Sequence, residues 1–330
     1  MMRDQARLDR LAQVAVWYYE DKLEQSEIAR RIERSVSMVS RMLSEAHQAG
    51  LIEIRIKFAL RTNDALAQRL VTRFGLKQAH VLDDSADEGD EVDHGEHDDA
   101  LALRKLAELG ARCLRTFLRD GMTLGVAWGR TLNAVVNALA PVTLRDVTVV
   151  QLMGALGSKA PLTSGSQLGY RLAEKLGATY HFMHAPLRVE TPDTAKSLMR
   201  DKEIRRVLNM ARKADVVMVA IGGIKPTQTV AVAAGYLTGQ DLAHLARATA
   251  VGDILNRYLD PAGNEINHTL NRRTIALDLA SLKKIPIVIG IAAGQDRAPS
   301  ICAALRGGYV KVLVTNASTA ERTLALGGER

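Results

Sequence analysis

QSEIARRIERSVSMVSRMLSEAHQAGLIEIRIK, residues 25–57, decides how the rest of the chain is read. Ile28, Ala29 and Ile32 fall on one face of a short helix, Gln25 to Ile32, with Ser26 placed to cap it. Glu33, Arg34 and Ser35 make a tight turn. A second helix runs from Val36 to Gln48, with Val39, Met42, Leu43 and Ala46 facing inward, and Gly50 ends it. From Leu51 to Phe58 the chain alternates: Ile52, Ile54, Ile56 and Phe58 on one side, Glu53, Arg55 and Lys57 on the other. That is a strand with one wet face.

Two short helices, a tight turn and a wing compose a winged helix-turn-helix, whose second helix enters the major groove of DNA. The outward residues suit this. Ser35, Ser37, Met38 and Ser40 are small or flexible, Arg41 can fork onto a guanine edge or a phosphate, and Arg30, Arg31 and Arg34 add charge beside it. The alternative is a helical hairpin with a solvated basic face. Agreement among turn, inner face, outer face and wing favours double-stranded operator DNA as a partner. Leu8 to Asp21, apolar at helical spacing, supplies a third helix, with Trp17, Tyr18 and Tyr19 as packing residues.

The chain has 330 residues, 47% of them hydrophobic and 25% charged, which is enough for a large core and more than one domain. Its net charge of +7 fits a polyanionic partner. The two cysteines, Cys113 and Cys302, lie far apart among apolar residues and read as buried thiols in a reducing compartment. The first residues, MMRDQARLDRL, lack the apolar core of a signal peptide, and no apolar run approaches a membrane span, so a soluble, unexported, cytoplasmic protein is expected.

After the wing, Thr62 to Phe74 reads as a helix with Leu66, Leu70 and Phe74 on one side, a connector able to pair with a second copy or pack on the body. Residues 83–99, DDSADEGDEVDHGEHDD, read as a mobile acidic loop. His94 and His97 could hold a metal there, but with no rigid element to fix ligands none is expected. From Ala100 onward helices alternate with short strands. Runs such as VVMVAIG and IPIVIGIA are apolar on both faces, as a mostly parallel sheet covered on both sides requires. The fold class is therefore α/β: a head over residues 1–58, a connector over 59–76 and a doubly wound body over 77–330.

Ligands of such sheets bind beyond the carboxyl ends of the strands. Four loops fit. Gly125, Trp128, Gly129, Arg130 and Thr131, with close backbone, a charge and a helix start, form a cradle for a phosphate or a polyol. Gly154 marks the second loop, Gly222 and Gly223 with Lys225 the third, and Gly294 to Arg297 the fourth. Asp253, an acid in apolar surroundings, can accept hydrogen bonds from ligand hydroxyls or serve as a turn carboxylate. No paired carboxylates, G-x-S-x-G, Walker loop, CxxC or HExxH appears, so neither catalysis nor a cofactor is indicated.

The chain resembles the SorC family of sugar-binding transcriptional regulators over nearly its whole length. The resemblance is carried by SEIARRIERSVSMVSRMLSEAHQAGLIEIRI (26–56), LGVAWGRTL (124–132), ADVVMVAIGGI (214–224), AVGDILNRYLDPAGN (250–264) and AAGQDRAPSICAALRGGYVKVLVTNASTAERTL (292–324). It implies an effector domain similar to sugar-phosphate isomerases and CoA transferases, a homo-oligomer (tetramer or dimer), and a sugar, sugar phosphate or polyol effector that alters operator binding. The chain departs from the family in having Arg297 where Lys is usual and Asn316 where an acid is usual. The rival expectation, from the shared fold, is a sugar-phosphate isomerase-like enzyme with a helical appendage.

Overall fold

The computed structural model describes residues 2–52, 58–84, 96–155, 165–225, 232 and 235–328. The chain divides into two compact units, Met1–Lys57 and Phe58–Arg330.

The head is built from α1 (Met2–Tyr19), α2 (Gln25–Arg31) and α3 (Val36–Gln48). Leu11, Val14, Ile28, Val39, Leu43 and Ala46 form its core, and Trp17, Tyr18 and Tyr19 pack around them. The turn between α2 and α3 needs Glu33 at φ 52°. Ser35 then caps α3 by accepting from the Met38 N–H at 3.3 Å. Ser26 does not cap α2, because that helix begins one residue earlier, with Glu24 at the cap position and no side-chain bond. Met42 is only half-buried. Gly50 sits just past the end of α3 at φ 72°. Residues 53–57, most of the expected wing, lie outside the described residues.

The body is a sheet in the order β1-β9-β8-β5-β2-β3-β4, all parallel. Its strands are β1 (Gln78–Leu82), β2 (Thr123–Val126), β3 (Thr148–Gln151), β4 (Thr179–His181), β5 (Val216–Gly223), β8 (Ile287–Ile291) and β9 (Val312–Asn316). Successive residues of a strand point to opposite faces. Val216, Val217, Met218 and Val219 are all at most 2% exposed, so helices cover the sheet on both sides. These are α5 (Glu96–Phe117), α6 (Arg130–Ala138), α7 (Gly165–Leu176), α8 (Pro192–Arg200), α9 (Lys202–Arg212) and later segments. From β2 the chain steps outward through β3 and β4, then returns to the other side of β2 to lay down β5. The crevice between the ends of β2 and β5 is thus the topological switch point, where open α/β sheets take ligands.

Beyond the parallel sheet, β5 continues into an antiparallel ladder with β6 (Gly252–Ile254), and β6 turns back into β7 (Arg257–Leu259). The two-residue turn puts Leu255 and Asn256 at φ 55° and 57°, the geometry that matches the twist of a hairpin. The alternating apolar pattern did not announce this hairpin. Three-residue strands are too short to show a period.

The helix at Asp64–Phe74, α4, is capped by Asn63, which accepts from the Leu66 N–H at 3.0 Å. Leu66 and Leu70 enter the same core as the sheet. The expected acidic loop, residues 83–99, overlaps a helix. Glu96 to Asp99 belong to α5, and residues 85–95, with His94, lie outside the described residues. Asp84 is not part of a loose loop. Its carboxylate accepts from the N–H groups of Ala317 (3.1 Å) and Ser318 (3.3 Å), from the Ser318 hydroxyl (3.0 Å) and from the Asn316 amide. It caps the last helix (Ala317–Gly327), whose own cap residue Asn316 makes no side-chain cap bond. Asp84→Ala is expected to lower stability by about 1–3 kcal/mol, because buried donors lose their acceptor. Urea unfolding of the variant checks this, and an unchanged midpoint would count against the capping role.

Candidate functional site

Two surfaces have the residues for binding, one on each unit. On the head, Arg30, Arg31, Arg34, Ser35, Ser37, Met38, Ser40 and Arg41 are all exposed. They differ in how they are held. Arg31 is tied back, pairing with Glu27 at 3.3 Å and lying 5.7 Å over the Trp17 ring. Arg34 donates to the Glu33 carbonyl at 3.2 Å, and the Ser35 and Ser37 hydroxyls share a hydrogen bond of 2.9 Å. Met38, 37% exposed, and Val36, 48% exposed, leave an apolar patch at the start of α3, as groove contact with a thymine methyl needs.

On the body, the crevice is bounded by the loops after β2, β5 and β8. At the first, Gly129 takes φ 136° and precedes α6, which has no side-chain cap. A Cβ at Gly129 would meet nothing within 4 Å, so the peptide faces open space. The first N–H groups of α6 are therefore available to an anion. Arg130 is exposed, and Thr131 is half-buried in the first turn. Trp128 is buried, and its indole N–H donates to the Gly154 carbonyl at 2.9 Å, which braces the β2 loop on the β3 loop. Gly294 repeats the arrangement of Gly129: φ 110°, open space at Cβ, and an N–H donating to the Thr319 hydroxyl at 2.9 Å.

Two glycines of the cradle have other reasons to be there. A Cβ at Gly125 would come 2.7 Å from both the Leu152 and Val217 side chains, inside β2. One at Gly154 would come 2.3 Å from the Pro186 carbonyl oxygen. Packing of neighbouring chain accounts for both. Leu156, Gly157 and Ser158 of the second loop lie outside the described residues.

Gly222 and Gly223 pair with Asp253 and Gly252 across the β5–β6 ladder. A Cβ on Gly222 would lie 2.1 Å from Asp253 Oδ1, so only glycine leaves room for the carboxylate. Asp253 Oδ2 accepts the Asn256 N–H at 3.0 Å. Burial pushes the Asp253 carboxyl up to about 6, against the opposing pull of that N–H and of the Arg297 and Arg188 charges. Arg297, on the 3₁₀ turn Gln295–Arg297, donates to the Ile221 carbonyl at 3.0 Å. Its pKa is lowered by burial and by the nearby Arg130 charge. Arg297 thus feels both the Arg130 charge and the Asp253 carboxylate. Lys225, from the β5 loop, is engaged with Asp296 at 2.6 Å.

Sequence reading brought Arg130, Gly222, Asp253, Gly294 and Arg297 forward as separate loops, and the fold gathers them. It overlooked Arg188, a buried residue on the segment after β4 that contributes to the field at Asp253. Nothing in its local sequence, APLRVE, marks it. Among the described residues no cluster of three His, Cys, Asp or Glu could hold a metal, and no helix is long and apolar enough to cross a membrane.

The Asp253 carboxyl has a stability consequence. Its folded-state pKa lies above the ordinary value, so the folded protein holds this proton more tightly than the unfolded chain. Stability from this group is present at low pH and is lost as pH rises from about 4 to about 6. Asp253→Asn is expected to melt higher than the parent above pH 6, by up to about 3 kcal/mol. The gap should close towards pH 4. Melting curves of both proteins across that range, without ligand, test it.

Residues 60–325 match the family described as "Putative sugar-binding domain". Over 319 residues the chain is 30% identical to the transcriptional regulator LsrR of Escherichia coli (strain K12), covering 96% of this chain and 94% of that protein. It is 28% identical over 303 residues to the deoxyribonucleoside regulator of Bacillus subtilis (strain 168), covering 92% and 93%. The crystal structure of the full-length sorbitol operon regulator SorC from Klebsiella pneumoniae superposes with a TM-score of 0.70 at 26% identity, covering 96% of this chain and 99% of that one. The chain belongs to the SorC family of sugar-binding transcriptional regulators: it is a DNA-binding regulator modulated by a bound effector.

Proposed function

We propose that this regulator controls a carbohydrate or polyol catabolic operon, reads its operator with α3, and takes a phosphorylated sugar or polyol in the crevice at the ends of β2, β5 and β8. The observation that carries the effector class is Arg130 at the uncapped start of α6, its charge felt by Arg297. Two like charges held together destabilise each other unless an anion lies between them. A phosphate would take the guanidiniums and the first amides of α6, with Gly129 and Gly294 allowing close approach. Asp253 is then placed to accept a hydroxyl of the sugar. Arg297 suits this role as a planar clamp but cannot form the imine that a lysine amine could.

On the head, the exposed start of α3 would enter the major groove, with Arg41 and the serines at base edges and phosphates and Arg30 and Arg34 on the backbone. A dimer or tetramer would present paired heads, as two half-sites one helical turn apart require. For the effector to change operator affinity it must bind one arrangement of the subunits better than another. The reciprocal then holds: operator DNA changes effector affinity by the same factor.

Arg41→Ala is expected to weaken specific operator binding by about 1–3 kcal/mol while the melting temperature holds. Fluorescence anisotropy with operator and random duplexes measures it, and unchanged affinity would remove α3 from the groove. For the body, thermal shift against sugars, polyols and their phosphates should show phosphorylated compounds stabilising the protein. Arg130→Met should weaken the best of them roughly tenfold to a hundredfold, the loss of one charge-assisted contact. A panel in which unphosphorylated compounds bind as well, or in which Arg130→Met has no effect, would overturn the phosphate reading.

A further inference from the structure

Among the described residues the body contains two deeply buried arginines, and they are treated differently. Arg257, 9% exposed, pairs with Glu265 at 2.8 Å and donates to the carbonyls of Leu277 (3.3 Å), Ala276 (3.4 Å) and Asn271 (3.5 Å). Its charge is neutralised and its fork filled. Arg188, 7% exposed, has neither benefit. Nη1 reaches the Tyr236 carbonyl at 3.2 Å and Nη2 the Asn256 amide oxygen at 3.5 Å, both neutral, and Nε has no partner. No carboxylate among the described residues makes an ion pair with it. Asp241 is occupied in a capping box with Thr238, and Asp253 accepts from Asn256, although both feel the Arg188 charge. A buried guanidinium with an unpaired N–H and no counter-ion is costly, so its retention calls for an anion that arrives from outside.

Its position says where that anion belongs. Asn256 joins Arg188 to the effector crevice: its N–H holds Asp253 while its side-chain oxygen holds Arg188. The hairpin turn at Leu255–Asn256, with both residues at positive φ, fixes that double contact. Asp253 therefore feels two cations, Arg297, which in turn feels Arg130, and Arg188, which shares Asn256 with it.

We infer that the effector carries a second acidic group, a carboxylate or a second phosphate, which docks on Arg188 while its first phosphate sits at Arg130 and Arg297. This deepens the reading under Proposed function and rests on it. A ligand with one phosphate leaves Arg188 buried and uncompensated. A ligand with two acidic groups compensates it as well, and its hydroxyls meet Asp253.

Matched pairs of compounds that differ in the second acid test this on the full-length chain: fructose 6-phosphate against fructose 1,6-bisphosphate, and glucose 6-phosphate against 6-phosphogluconate. Isothermal titration should show the doubly acidic member of at least one pair binding about tenfold or more tightly than its mate. Arg188→Gln should collapse that ratio towards one. Arg188→Lys, which keeps the charge without the fork, should leave an intermediate ratio and guards against a Gln variant that fails to fold. The inference is overturned if neither pair shows an advantage for the second acid, or if the advantage survives both substitutions. Monophosphates that bind and weaken in Arg130→Met, with no advantage for the second acid, would sink this inference alone. Failure of every phosphate to bind would sink the reading beneath it as well.

Discussion

The body depends on the close approach of Gly222 to Asp253. At that point β5 leaves the parallel sheet and pairs antiparallel with β6, and the carboxylate takes the space where a side chain would otherwise stand. The swap brings the β6–β7 hairpin against the switch point of the sheet. Without it the crevice would have glycine loops and arginines but no acceptor. With it, a carboxyl is buried against its own preference, in surroundings that raise its pKa. Binding sites often store strain in this way, and a ligand that donates a hydrogen bond or brings compensating groups relieves it.

The surrounding charges follow the same logic. Lys225 and Asp296 neutralise each other at the rim, and Arg257 and Glu265 do so in the interior. Among the described residues, Arg130, Arg297, Arg188 and Asp253 around the crevice form no such ion pair. Around them the scaffold is stiff. Trp128 links the β2 and β3 loops, Gln151 accepts from the Tyr180 hydroxyl and the Met183 N–H, and Asp84 locks the helix that follows β9. A rigid frame around unsatisfied charge is preorganisation: little must be reordered when the ligand arrives.

The head relies on different physics. Its small core of aliphatic residues on three helices needs only local contacts and the Ser35 cap of α3. Its outer face is left polar and basic, which gives affinity for any duplex through phosphate contacts. At the start of α3 the Ser35 cap fixes the direction of the helix.

The sequence by itself determined what depends on local pattern. Helical spacing and doubly apolar strands gave the three head helices and the parallel strands, with ends off by a few residues and α1 starting six residues earlier than expected, because each is encoded within a few turns or a single strand. The glycine loops after β2, β5 and β8 were legible for the same reason. Only the tertiary structure decided which of those residues come together and which answer to packing. Gly125 and Gly154 look like cradle residues in the chain but answer to packing by Leu152, Val217 and Pro186. Asp84 lies in an acidic run yet caps a helix more than 230 residues away in sequence. The β6–β7 hairpin is too short to carry a period, and Arg188 sits in an unremarkable segment. Burial, counter-ions and close approach are properties of residues distant in sequence, so they become visible only when the chain is folded.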